Sequence, residues 1–147
     1  MIKIAIVDDE KILRKKLTSM LLTFDFSQKD TAISEISSGE EFIEYYANNS
    51  ADIIFFNIEM DEINGLKTAA EIREVDKDVI IIFLTNFKDF VFSGYEVKAF
   101  RHLLKTQVFG DGDNNELKEI TEKALTEYQQ QHKTITLSTR TNSLKSL

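Results

Sequence analysis

Hydrophobic and polar positions alternate along this chain in blocks that read as strands and helices in turn. Ile2 to Val7 is apolar and β-branched at most positions, which predicts a buried strand. Residues 10 to 24 carry Ile12, Leu13, Leu17, Met20, Leu21 and Phe24 at helical spacing. Thr31 to Ser37 alternates as a second strand. Ser38 with Glu41 three positions later is a capping box and predicts a helix over 39–48. Ile53 to Phe56 is a short continuous apolar run, the pattern of a central parallel strand. Gly65 opens a helix to about Glu74, with Leu66, Ala69, Ala70 and Ile72 on its buried side. Val79 to Leu84 is a fourth strand, a weaker amphipathic segment spans 87–96, and Ala99 to Leu104 is a fifth strand. "FGDGDNN" is a turn, and Asp113 or Asn114 can cap a helix over 115–131.

Strands alternating with helices imply a parallel sheet covered on both faces. Five such pairs in this length fit an α/β fold of the flavodoxin-like doubly wound type, (βα)5, with strand order 2-1-3-4-5. Sites on this fold lie just outside the carboxyl ends of the strands. That rule singles out Asp8 and Asp9, Asn57, Thr85 and Lys105. The expected domain covers residues 1–131. Residues 132–147, "HKTITLSTRTNSLKSL", change character, and "TITLS" alternates like a new strand. They read as a linker plus the first strand of a truncated output domain, with a frayed tail as the competing reading.

Composition narrows the classes. A chain of 147 residues with 42% hydrophobic and 29% charged residues can bury a real core. A net charge of -7 argues against nucleic acid or anionic membrane as a direct partner. With no cysteine, disulfides and thiolate zinc sites are excluded. The apolar runs are far shorter than a membrane span and the first residues already form a strand, so a cytoplasmic protein is expected.

The rim residues share one chemistry. Paired carboxylates and a few oxygen donors suit Mg²⁺, which keeps several waters and bridges to phosphate. A lysine supplies a point charge for a phosphoryl oxygen, and a hydroxyl donates to another. Together they describe a phosphoryl-transfer site, where positioning and charge neutralisation do most of the catalysis.

Five motifs in order then carry a resemblance: "IVDDE" at 6–10, "IIFFNIEM" with "NGLKTAAEIR" at 53–73, "IIFLT" at 81–85 and "VKAFRHLLK" at 97–105. Over residues 1 to 131 the chain resembles a bacterial two-component response-regulator receiver domain. The resemblance implies that Asp8 and Asp9 hold Mg²⁺, with the Glu59 backbone carbonyl as a further ligand and the side chain at position 57 as another. It makes Thr85 the switch hydroxyl, Lys105 the phosphate-binding lysine and His102 the aromatic switch position. It implies a sensor histidine kinase as partner and leaves homodimerisation open. "EVKAFRHLLK" and the strand-like tail resemble regulators whose DNA-binding output domain is of the LytTR type, a subclass that includes peptide-pheromone responses.

Three positions depart from the family pattern. The phosphoacceptor aspartate is Asn57, and the usual prolines are Asp61 and Thr106. Without proline the Lys105–Thr106 bond is expected to be trans, since a non-proline cis bond costs about 3–4 kcal/mol. Asparagine has a delocalised nitrogen lone pair and no negative charge, so no acyl phosphate is expected at Asn57. It is either a native feature of a pseudo-receiver or an engineered Asp-to-Asn change, and the lost prolines favour natural divergence.

Bland readings stand beside these. Asp8 and Asp9 can cap the first helix, His102 reads as a sheet-edge strand residue, and the run Phe83, Phe87, Phe90, Phe92 and Tyr95 reads as core and helix packing. Two other functions compete with a non-enzymatic signalling module. A small Mg²⁺-dependent phosphatase or phosphotransferase using Asp8 or Asp9 lacks the spaced carboxylates and cap domain such enzymes need. A flavin carrier needs a Ser/Thr/Gly-rich phosphate loop, where this chain has the acidic "VDDEKIL".

Overall fold

The structure, a computed structural model, describes residues 1–24, 31–60, 64–87, 97–110 and 115–145. In chain order the elements are β1 (Ile2–Val7), α1 (Lys11–Leu22), β2 (Thr31–Ile36), α2 (Gly39–Asn48), β3 (Ile53–Asn57), α3 (Gly65–Val75), β4 (Ile80–Thr85), β5 (Arg101–Leu104), α4 (Lys105–Phe109) and α5 (Asn115–Lys145). All strand pairs are parallel and the sheet order is β2-β1-β3-β4-β5, the order expected.

The continuous apolar runs follow from burial on two faces. In β1, β3 and β4 alternate residues point to opposite sides of the sheet. Ile4, Ile6, Ile53, Phe55, Ile80 and Ile82 join Leu17 and Leu21 of α1 and Leu117 and Ala124 of α5 in one core. Ala5, Val7, Ile54, Phe56, Ile81 and Phe83 join Phe42 of α2 and Leu66, Ala69 and Ile72 of α3 in the other. Phe42 meets Phe56 edge-on at 5.4 Å between ring centroids, an arrangement favoured by the ring quadrupoles. Of the aromatic run, Phe83 is core and Phe87 is exposed; Phe90, Phe92 and Tyr95 fall outside the described residues, as does most of the amphipathic segment expected at 87–96. Ile12, placed by its spacing on the apolar side of α1, is exposed as well.

Local signals explain the helix starts. Ser38 Oγ accepts from the Glu41 N–H at 3.1 Å, capping α2, while the Glu41 carboxylate takes its bond from Ser37 Oγ at 2.9 Å. Asn64 Oδ1 caps α3 through the Lys67 N–H at 2.9 Å. Gly65 is required where it stands, because a Cβ there would collide with the Asn57 backbone carbonyl oxygen. β5 starts at Arg101 rather than Ala99, although the Phe100 N–H already pairs with the Ile81 carbonyl at 2.8 Å.

The C-terminal end differs from expectation. "TITLS" forms no strand; α5 continues as helix to Lys145. A lone β segment leaves its backbone groups without a neighbouring strand, whereas a helix pairs them within itself. No helix among the described residues is long and apolar enough to cross a membrane.

Candidate functional site

Each strand of the sheet centre delivers a polar residue to the carboxyl rim. Asp8 extends the β1 ladder, donating its N–H to the Ile36 carbonyl at 3.1 Å. Asn57 ends β3 opposite Leu84, Thr85 ends β4, and Lys105 follows directly on β5 as the first residue of α4. The strands above them are packed on both faces, so these side chains are held by a rigid frame. Asp8, Asn57, Thr85 and Lys105 are all buried, while Asp9 is exposed.

Asn57 sits at the centre. Its Nδ2 donates to the Glu59 backbone carbonyl at 2.7 Å and lies 3.3 Å from Asp8 Oδ1 and 3.4 Å from Asp9 Oδ1. The three surrounding oxygens settle the amide's orientation, because its own oxygen would be repelled there. Asn57 Oδ1 in turn is buried with no hydrogen-bond partner among the described residues. Asp8 and Asp9 do not cap α1: its N-cap is Glu10, which makes no side-chain cap bond, and Asp8 Oδ1 instead accepts from the Glu10 N–H at 2.9 Å.

Lys105 Nζ stands 3.9 Å from Asp8 Oδ2, an ion pair buried at both ends. The Lys105–Thr106 bond is trans, and the lysine reaches the acidic pair all the same. Burial pushes the Asp8 carboxyl up to about 6, against the Glu10 N–H and the Lys105 ammonium, which both favour the charged form; Asp9 adds to the rise.

Sequence reasoning assigned Glu59 only a backbone role. Its side chain does more: Oε1 accepts from the Thr85 hydroxyl at 2.8 Å and from the Asn86 N–H at 2.8 Å. His102 lies on the exposed side of the edge strand β5, opposite Phe83 in register and below the level of Thr85.

Two arginines were given no role by the sequence pattern. Arg14 donates to the Asp8 carbonyl at 2.8 Å and faces Glu35 of β2 at 3.6 Å. Arg73, buried on α3, donates to the carbonyls of Val79 and Val97 at 2.6 Å each, and to those of Lys77 and Lys98 at 3.1 and 3.2 Å. A cation on the apolar side of a helix, next to Ile72, is the signal that can find such a clamp.

The oxygens around Asn57 test the cation expected here. Two carboxylates and one backbone carbonyl converge on a single point, which fits a hard ion, but the point is filled by the Asn57 NH₂. Among the described residues no group of three His, Cys, Asp or Glu side chains could hold a metal. Turning the amide over would aim the orphaned Oδ1 at the same point and complete an oxygen set.

Fold and rim together define a doubly wound α/β domain with an acidic site at the switch of its sheet. The family model described as the response regulator receiver domain matches residues 4–122, and the chain belongs to that family. It is 32% identical over 108 residues to the sensory transduction protein LytT of Oceanobacillus iheyensis, covering 71% of this chain and 42% of that protein. It is 29% identical over 103 residues to the transcriptional regulatory protein LytR of Staphylococcus aureus, covering 70% and 41%. Their names, LytT and LytR, agree with the subclass expected from the sequence, and the chain spans about two fifths of their length. Among solved structures, the response regulator TrrA of Thermotoga maritima in complex with Mg²⁺-BeF is 31% identical, with a TM-score of 0.69 over 84% of this chain and 99% of that one. TrrA has also been solved in complex with the histidine kinase ThkA, at a TM-score of 0.67 over 85% of this chain and 99% of that one.

Proposed function

We propose that this chain is the receiver module of a LytTR-type transcriptional regulator and that it controls an attached DNA-binding output domain without taking a phosphoryl group at Asn57. The observation that carries the reading is the Asn57 amide, turned onto Asp8, Asp9 and the Glu59 carbonyl. An amide there is no nucleophile, and its NH₂ holds the place of a cation.

Asp8, Asp9, the Glu59 carbonyl and, after an amide turn, Asn57 Oδ1 would hold Mg²⁺. When bound, the ion supplies charge neutralisation to a phosphoryl oxygen. Lys105 would face the same oxygens, and Thr85 would donate to them from the β4 side once released from Glu59. Two carboxylates rather than three leave the ion weakly held. The names of the LytT and LytR relatives support a sensory and transcriptional role, and the ThkA–TrrA complex supports a histidine kinase as the partner of this fold. The chain's net charge of -7 argues against the domain as the DNA contact itself; that task falls to an output domain beyond residue 131, with homodimerisation as a route of control.

The phosphatase reading is disfavoured for Asp8 by one observation. Asp8 is buried, one oxygen held by Glu10 and Asn57 and the other facing Lys105, and so is a poor nucleophile for a substrate from solvent. Magnesium titration followed by amide resonances of residues 8, 9 and 59 tests the proposal. Binding at least about tenfold weaker than in the Asn57→Asp variant is expected; equal affinity overturns the role given to the amide.

A further inference from the structure

Glu59 holds a position at this rim that its place in the chain does not require. Its Oε1 gathers two donors, the Thr85 hydroxyl and the Asn86 backbone N–H, each at 2.8 Å. The Thr85 hydroxyl donates its proton to Glu59 while its oxygen accepts from the Phe87 N–H at 3.1 Å. Thr85 is fully buried. Two N–H or O–H groups aimed at one point from the end of a strand form an anion cradle. Here the anion comes from the chain. The other oxygen, Oε2, is buried with no partner among the described residues, so the carboxylate fills the cradle incompletely.

The cradle adjoins residue 57. Asn57 pairs with Leu84, the Ile58 N–H donates to the Leu84 carbonyl at 3.0 Å, and Thr85 is the next residue along β4. An oxyanion carried on the side chain at position 57 would have Lys105 and the acidic pair on one side and these two donors on the other.

We propose that Glu59 is a built-in competitor for the phosphoryl-binding donors of this domain. Its carboxylate engages the Thr85 hydroxyl and the Asn86 N–H in place of a phosphoryl group, and holds the end of β4 in its anion-bound arrangement with no phosphate present. The inference rests on the receiver reading above. It assigns Asn57 and Glu59 complementary effects: the first removes the nucleophile and the second replaces the anion.

The test compares the full chain carrying Asn57→Asp with one carrying Asn57→Asp and Glu59→Ala, both titrated with beryllofluoride in excess Mg²⁺. Beryllofluoride binds a carboxylate as a phosphoryl mimic, and the Asn86 amide resonance reports the cradle. Freeing two hydrogen bonds to an anion should tighten binding about tenfold or more in the double variant. In the unmodified chain Glu59→Ala should shift the Asn86 amide resonance, and beryllofluoride should shift it back in the double variant. Equal affinity of the two variants, or an Asn86 resonance indifferent to Glu59, overturns the proposal and leaves the receiver reading standing. If neither variant binds beryllofluoride, the receiver reading of the site fails and the competitor role falls with it.

Discussion

The side-chain amide of Asn57 donates to the backbone carbonyl of Glu59 across 2.7 Å, two residues along the chain. This short bond fixes which way the amide faces. It sends the nitrogen toward Asp8 and Asp9 and strands the oxygen in a buried position with no donor among the described residues. The amide thus acts as a neutral plug between two carboxylates.

Removing that plug should cost stability when no metal is present. Asn57→Asp adds a third carboxylate to the rim and deletes the donor to Glu59. The expected loss is about 1–3 kcal/mol in urea unfolding with a chelator, and Mg²⁺ should recover most of it. A metal-free gain in stability would contradict this account.

Acid should strengthen the metal-free fold over a narrow window. The folded Asp8 carboxyl titrates at about 6 against an ordinary 3.8, so between these values the folded state binds more protons than the unfolded one. Its contribution to stability is therefore full near pH 4 and is lost as pH rises through about 6, by on the order of 2–3 kcal/mol. Denaturant midpoints in chelator for this chain and its Asp8→Asn variant measure the effect. The slope across the window should flatten in the variant.

Arg73 should matter more to the fold than any surface ion pair. Its guanidinium ties the start of β4 to the segment before β5 through the Val79 and Val97 carbonyls. Arg73→Met leaves those buried acceptors without donors and should cost about 2–4 kcal/mol. Arg73→Lys should restore less than half, because an ammonium lacks the fork that reaches both segments. Equilibrium unfolding of the two variants decides it.

Gly65→Ala tests the seam between α3 and the site. A methyl group there meets the Asn57 carbonyl oxygen, so either α3 or the end of β3 must shift. A loss of about 2–4 kcal/mol is expected, together with altered amide resonances at residues 57 to 59.

Most of the scaffold was legible because burial on two faces writes itself into the chain. The runs at 2–7, 53–56 and 79–84 are continuous since both sides of those strands are covered, and Ser38 marks its helix by a cap. Rim residues were then found by position, as the polar residues that end each run. What escaped were side chains whose role depends on a distant partner. The Glu59 carboxylate has meaning only beside Thr85 on the next strand, and Arg73 only beside two loops. α4 is too short for any periodicity. The alternation in "TITLS" lies within α5, which runs on to Lys145.

The central claim is that this receiver cannot be phosphorylated at the end of β3. The most direct measurement is the intact mass of the chain after incubation with acetyl phosphate and Mg²⁺. In Asn57→Asp the new carboxylate can attack phosphorus as acetate leaves, and a gain of one phosphoryl group is expected. The unmodified chain should gain none. A phosphoryl group on the unmodified chain, mapped to the peptide containing Asn57, would contradict the account.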